Sequence, residues 1–310
     1  MIPIHLNNVL LVSKTRGILF YLFLIIVFNS NISLSQSTDL DKDINYFQIG
    51  FSSNVFSGVY LNDAIAAAKV LTEFFLKKYN RTWEVKSPEI FSNIDELKKI
   101  LSEQEFELLI MHPGEYIQVK DMNLLEPIGM SLRDGSPYDT YHLLVHKDSD
   151  IKNLSYLKDK KILIDLLGGD KARLWLDKLL KEKNLSRKEI FFTEIQFVDK
   201  PLSTVLPVFF RKIDACILNK SSYSTVVELN PQIGRDLISI EVSQPLAIGL
   251  IALRKTISDQ QVKIDTEETM LNFHNYEESR QYLTVFKIGK VVEFKEEYLE
   301  STYALLEINK

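Results

Sequence analysis

Gly168-Gly169-Asp170 is the stretch of this chain whose residue types and spacing point most directly to ligand chemistry. The two glycines let the backbone turn without a Cβ penalty. An amphipathic helix follows, with Ala172, Trp175, Leu176, Leu179 and Leu180 at helical spacing. A strand-like run from Lys161 to Leu167 precedes the turn, so the N–H groups opening that helix face a strand end, where open α/β sheets hold their ligands. Asp170 has a competing use there: a carboxylate at a helix start caps the orphan N–H groups and suits the helix dipole, which displaces a bound anion. Ser52, Ser53 and Asn54 follow an earlier apolar run and serve either as hydrogen-bond donors to a ligand or as ordinary turn residues. His112 ends another such run. It binds an anion when protonated, hydrogen-bonds when neutral, or simply packs in its loop.

None of these groups forms a recognisable catalytic or metal constellation. His142 and His146 are four apart, a metal spacing on a helix, but the surrounding Tyr141 to Lys147 alternates as a strand and no third ligand is evident. The chain has no Gly-x-Ser-x-Gly elbow, no Gly-x-x-x-x-Gly-Lys-Ser/Thr loop and no His-Glu-x-x-His. Cys216 is the single cysteine, so no intramolecular disulfide forms, and within Ile213 to Leu218 it reads as a buried inert thiol. The expectation is a binder without cofactor or metal, not an enzyme.

Lys14 and Arg16 precede an apolar run from Gly17 to Phe28, and Ser33-Leu34-Ser35 supplies small residues for cleavage. Residues 1–35 therefore read as a secretion signal, with the exported chain starting at Gln36. The 12-residue run is short for a membrane span. Cleavage removes two bases and no acid, moving the formal charge from −5 to −7. That balance is unsuited to nucleic acid, which demands a basic surface.

In the remaining 275 residues, strand-like and helix-like segments alternate. Tyr46 to Phe51 reads as a strand and Asn62 to Lys78 as a helix. Ser92 with Asp95 resembles a capping box, and Leu108 to Met111 is a short buried strand. Further strands are expected at Ile190 to Val198, Ile213 to Leu218 and Leu246 to Leu253, with helices at Thr204 to Lys212, where Pro207 falls in the first turn, and at Ser222 to Leu229. Such alternation argues for parallel βαβ units. After Lys263 apolar positions recur only at helical spacing, which predicts a helical tail. The length suits two domains, and the lack of a low-complexity linker suggests short hinges between them.

Several segments together resemble the phosphonate-binding-like family of periplasmic solute-binding proteins, which serve ABC importers. They are Ile49-Gly50-Phe51-Ser52 with its Ala-rich helix, Glu107 to Tyr116 (ELLIMHPGEY), Leu144 to Lys161 (LVHKDSDIKNLSYLKDKK), Ile213-Asp214-Ala215, and Leu283 to Glu293 (LTVFKIGKVVE). The resemblance implies an α/β, two-lobed type 2 periplasmic-binding-protein fold, each lobe a mostly parallel sheet flanked by helices, with a helical C-terminal tail. Residues 36–138 plus 245–310 would form lobe 1 and 139–244 lobe 2, with a ligand cleft between them.

The same resemblance adds site candidates. Tyr116 stands in the family's ligand-facing tyrosine position, with a packed core tyrosine as the alternative. Thr140 and Tyr141 lie where the chain enters the second lobe, as cleft wall or ordinary strand. Asp214 matches the family's Asp-Ala step and either holds a ligand amino group or bonds backbone amides at the strand entrance. One departure is clear: family members that hold a phosphonate usually carry a hydroxyl-rich Ser-x-Ser-Gly turn, replaced here by Leu166-Leu167-Gly168-Gly169-Asp170. The expectation is weak binding of simple phosphonate or phosphate, and preference for another small polar solute or one bearing an amino group. The implied protein is a periplasmic monomer that partners a small solute and the membrane permease of an ABC transporter. A sensory protein feeding a histidine kinase and a small-molecule enzyme on the same scaffold are the alternatives.

Overall fold

In the computed structural model of the chain, the residues described are 46–307 without 57–60, 79–83, 104–105, 167–169 and 258. The segment 1–35, expected to be a secretion signal, and the pair Gly168-Gly169 lie outside them. In chain order the elements are β1 (Tyr46–Phe47), β2 (Ile49–Ser52), α1 (Leu61–Lys78), β3 (Glu84–Val85), β4 (Glu89–Phe91), α2 (Ile94–Glu103), β5 (Leu108–Met111), α3 (Pro113–Val119) and β6 (Leu125–Leu132). Next come β7 (Tyr138–Asp139), β8 (Tyr141–His146), β9 (Lys161–Asp165), α4 (Lys171–Glu182), α5 (Lys188–Phe191), β10 (Glu194–Val198), α6 (Pro201–Phe209), β11 (Ala215–Asn219), α7 (Lys220–Leu229), α8 (Pro231–Asp236) and β12 (Leu237–Val242). The chain then returns through β13 (Leu246–Ala247), β14 (Leu250–Arg254), α9 (Gln260–Leu271), α10 (Ser279–Phe286), β15 (Lys290–Glu293) and α11 (Glu300–Leu306).

Two sheets organise these elements, as a two-lobed α/β fold requires. The first has the order β15-β6-β14-β5-β2-β4 and the second β10-β9-β11-β8-β12. The expected parallel units are present, β4-β2-β5 in one sheet and β10-β9-β11 in the other. Antiparallel strands complete both sheets: β14, β6 and β15 in the first, β8 and β12 in the second.

Period-two alternation explains why these runs are apolar throughout. Ile110 and Ile251 face a core built with Ala64, Ala68, Leu71 and Phe75 of α1, while Leu109, Met111 and Ala252 face a second core beneath α2 and α3. In the other sheet Leu143, Ile162 and Ile217 pack on α4, and Leu144, Leu163 and Cys216 pack on α6 and α7. Cys216 is fully buried, and burial pushes its thiol pKa up, as an inert core residue should show.

A two-stranded antiparallel ribbon joins the sheets: β7, leaving the first sheet, pairs with β13, returning to it, with Leu246 opposite Asp139 and Ala247 opposite Tyr138. Helix α11 lies alongside the crossing, with Tyr303 in the core of the first sheet and Leu305 in that of the second. Lys120 after α3 holds this helix in place, reaching Glu296 at 2.7 Å and the Tyr303 hydroxyl at 2.8 Å.

Several local expectations shift. The cap of α2 is one residue later than Ser92/Asp95: Asn93 Oδ1 accepts the Glu96 N–H, and the Glu96 carboxylate accepts the Ser92 N–H. Pro207 sits inside α6 and not in its first turn, because Pro201 takes the first helical position, where a missing N–H is harmless. Ile190 belongs to the short helix α5, and only Glu194–Val198 of that segment is strand. Leu246 to Leu253 splits into β13 and β14. The tail is not wholly helical, since β15 adds to the edge of the first sheet beside β6. No helix among the described residues is long and apolar enough to cross a membrane.

Candidate functional site

Parallel strands aim their carboxyl ends in one direction, and at or just beyond those ends of β2, β5, β9 and β11 stand Asn54, His112, Lys171 and Asn219. All four line one cavity of about 660 Å³, with the ribbon strands β7 and β13 on its wall through Asp139 and Leu246. This is the strand-end crevice in which open α/β folds hold ligands.

On the side of the first sheet, Glu115 is the organising group. It is the third residue of α3, is buried, and accepts three hydrogen bonds: from the Ser52 hydroxyl at 2.6 Å, from Asn54 Nδ2 at 2.9 Å and from the His112 N–H at 2.8 Å. The last bond closes the helix start in the manner of a capping box. His112 Nε2 lies 3.1 Å from the Asn54 carbonyl, which can only accept, so the proton is assigned to Nε2. Burial, with help from Lys171 and Arg133, holds the His112 pKa well below its ordinary value against the opposing pull of the Asn54 bond. At neutral pH this ring is uncharged. The anion-binding imidazolium expected as one role of His112 is thus disfavoured, and the ring fixes Asn54 instead.

The sign of that shift has a measurable consequence. A histidine whose folded pKa is depressed contributes stability that is complete above about pH 6.5 and declines as the pH falls, because the unfolded chain takes the proton first. The His112 ring resonance is expected to remain in the neutral position through pH 6. Titration of that resonance with a midpoint near 6.5 would refute the assignment.

On the side of the second sheet, Lys171 is the first residue of α4. Its ammonium reaches across to the returning strand, donating to the Ala247 carbonyl at 2.8 Å and more weakly to the Ile248 carbonyl at 3.4 Å. Burial pushes the lysine pKa down to about 7, opposed by Glu115 and Asp139 and reinforced by Arg133. Arg133 approaches Asp139 at 3.8 Å and donates from Nε to the Lys287 carbonyl at 3.1 Å. Asp139 also accepts the Thr140 N–H at 2.8 Å and the Ser221 hydroxyl at 2.7 Å, tying the ribbon to the start of α7.

Of the residues singled out from sequence, Asn54, His112 and Tyr141 line the cavity. Ser52 is buried behind it, its hydroxyl engaged by Glu115, and Ser53 occupies the adjacent turn. Tyr116 is not on the cavity wall. It packs in the core under α3, edge-on to Phe294 at 6.4 Å, because α3 turns Glu115 toward the site and its neighbour inward. Thr140 is directed to His142, at 3.1 Å. Asp170 is exposed and pairs with Arg173 at 3.1 Å; its side chain makes no cap hydrogen bond, since the residue has already adopted helical dihedrals. Asp214 lies at the opposite end of β11 from Asn219 and accepts the Lys161 N–H at 2.9 Å, the strand-entrance role. Both His142 nitrogens are taken by hydroxyls, Ser239 at 2.8 Å and Thr140, and no cluster of metal-binding side chains occurs among the described residues.

Sequence reading missed Glu115, Arg133, Asp139 and Lys171. Lys171 had a usable signal, a cation two residues after the glycine pair that stands in place of hydroxyls. The other three are scattered among 42 acids and 37 bases without a motif.

Two α/β lobes, two crossing strands and a polar cavity at the strand ends define a type 2 solute-binding protein. Residues 37–299 match the family described as ABC transporter, phosphonate, periplasmic substrate-binding protein, and the chain belongs to that family, whose members are transport components. Solved structures of similar fold include XAC2383 from Xanthomonas citri bound to ATP, with 13% identity over 84% of this chain and 95% of that one and a TM-score of 0.63. The binding-protein component of an ABC phosphonate transporter, PA3383 from Pseudomonas aeruginosa, is 14% identical over 85% of this chain and 86% of its own, with a TM-score of 0.62. PhnD1 from Prochlorococcus marinus in complex with methylphosphonate has 13% identity, coverage of 84% and 97%, and a TM-score of 0.62. Among curated proteins, none matches the chain significantly.

Proposed function

We propose that this family member is exported to the periplasm through the leader at 1–35, captures a small anionic solute between its lobes and delivers it to the permease of an ABC transporter. Lobe 1 comprises residues 36–138 plus 245–310 and lobe 2 residues 139–244, with the β7–β13 ribbon as the hinge. The observation that carries the anionic reading is Lys171, a cation lining the cavity and bonded, among the described residues, only to backbone carbonyls. Arg133 adds a second positive group, and Ser131 and Ser222 supply hydroxyls.

Lys171 also changes the expectation drawn from the lost hydroxyl-rich turn. A charge at the same helix start offsets part of that loss, because it adds a direct Coulombic attraction for an anion to a charge-assisted hydrogen bond. Simple phosphonates therefore remain candidates, alongside larger anions that a cavity of this size admits.

The test uses protein recovered from the periplasmic fraction, with its N-terminus sequenced, then titrated calorimetrically with methylphosphonate, 2-aminoethylphosphonate, phosphite and phosphate. An N-terminus at or near Gln36, at least one dissociation constant in the micromolar range or below, and a smaller radius of gyration by small-angle scattering at saturation are expected. Intact Met1 in the membrane fraction would overturn export, and silence toward all four anions would overturn the anionic cleft.

A further inference from the structure

We propose that Lys171 both reads the charge of the solute and couples its capture to the hinge: two hinge-strand carbonyls hold the ammonium so that its remaining N–H serves an anionic head group. This rests on the anionic reading of the cleft and names the residue that executes it.

The geometry points to Lys171 for three reasons. Its side chain starts on α4, beside the second sheet, and ends on the Ala247 and Ile248 carbonyls, where the chain returns to the first. An ammonium carries three donors, and these two acceptors, one of them at 3.4 Å, leave the third without an acceptor among the described residues. No ion pair joins Lys171 to a carboxylate among the described residues. The acids facing it are otherwise engaged: Glu115, on α3, accepts from Ser52, Asn54 and His112, and Asp139, on β7, accepts from Thr140 and Ser221 beside Arg133.

His112, which precedes α3, is neutral, and Arg133 repels the ammonium. Lys171 is half-buried, and a cation partly drawn from water without an ionic partner among the described residues is a standing electrostatic deficit. A bound oxyanion removes that deficit and, by holding the amine in its charged form, strengthens the existing tie from α4 to the Ala247 and Ile248 carbonyls. Lysine is a point charge on a flexible stem and lacks the planar fork of arginine, so it takes tetrahedral and planar heads alike. The ligand class is a small oxyanion selected by charge more than by shape.

Because burial lowers the Lys171 pKa to about 7, the free protein at pH 8 holds this amine mostly neutral, and anion binding must draw a proton onto it. Calorimetry at pH 8 in two buffers of different ionisation enthalpy measures that uptake, using the tightest of methylphosphonate, 2-aminoethylphosphonate, phosphite and phosphate as the probe. Wild type is expected to take up a large part of one proton. Lys171→Met is expected to lose about 100-fold in affinity and the scattering-detected closure. Lys171→Arg, always charged, is expected to recover to within about 10-fold of wild type while the proton uptake disappears. Thermal melts of both variants check that they fold. Wild-type affinity in Lys171→Met, or unchanged uptake in Lys171→Arg, would overturn the role of Lys171 with the anionic cleft intact. Failure of all four anions to bind wild type overturns both.

Discussion

Replacement of Glu115 by alanine is expected to lower the unfolding free energy by about 3–5 kcal/mol, close to the upper end for a single substitution. The carboxylate is buried and accepts from the Ser52 hydroxyl, Asn54 Nδ2 and the His112 N–H at 2.6, 2.9 and 2.8 Å. Alanine leaves three donors unsatisfied, each worth about 1–3 kcal/mol, with some relief from water entering the adjacent cavity. At about 2–4 °C per kcal/mol for a domain of this size, the melting temperature should fall by about 10 °C. Glu115→Gln is the informative partner. Its carbonyl still accepts from Ser52 and Asn54, but its amide meets the His112 N–H donor to donor, so a loss of about 1–3 kcal/mol is expected. Equal effects of Ala and Gln, or an alanine effect below about 1 kcal/mol, would show that the carboxylate does not organise this side of the cleft.

Gly129→Val is expected to destabilise by about 2–4 kcal/mol, for a reason of volume. Gly129 lies in β6 opposite Glu293 of β15. A Cβ there would stand 2.6 Å from Val291 Cγ1 and 3.3 Å from the Val292 carbonyl, the second being backbone that cannot rotate away. The strand that returns from the C-terminal tail would have to move off the sheet edge. Equilibrium denaturation checks the magnitude. Anion binding should weaken as well, because Lys287, Ile288 and Gly289, which lead into β15, line the cavity, and Arg133 donates to the Lys287 carbonyl. A valine variant as stable as wild type would mean that β15 does not hold this register.

Legibility of the site ended at a recurring physical limit. Tyr116 was the residue expected in the cleft, and its neighbour Glu115 is the one directed toward it; Asp170 was the expected cap, and its neighbour Lys171 crosses to the opposite strand. Successive helix positions differ by about 100°, so the face presented to a cleft depends on how the helix docks. Asp214 is different, because it stands at the amino end of β11, about 17 Å of extended chain from Asn219, and the strand-end rule applied to the sequence would have set it aside.

Residue pattern alone determined the elements and their class. Ile49–Ser52, Leu108–Met111 and Lys161–Asp165 are apolar runs of strand length, and Ala64, Ala68, Leu71 and Phe75 form one helical stripe; both are local signals independent of the partner. The family was legible too, since the order of several such segments survives without any one motif. The tertiary structure decided the chemistry of the cleft. Glu115, Arg133, Asp139 and Lys171 come from four separate segments, and whether each charge is satisfied or left for a ligand depends on hydrogen bonds spanning tens of residues, which no periodicity encodes. Burial then set the protonation of His112 and Lys171, because desolvation is a property of the assembled environment and not of the residue type.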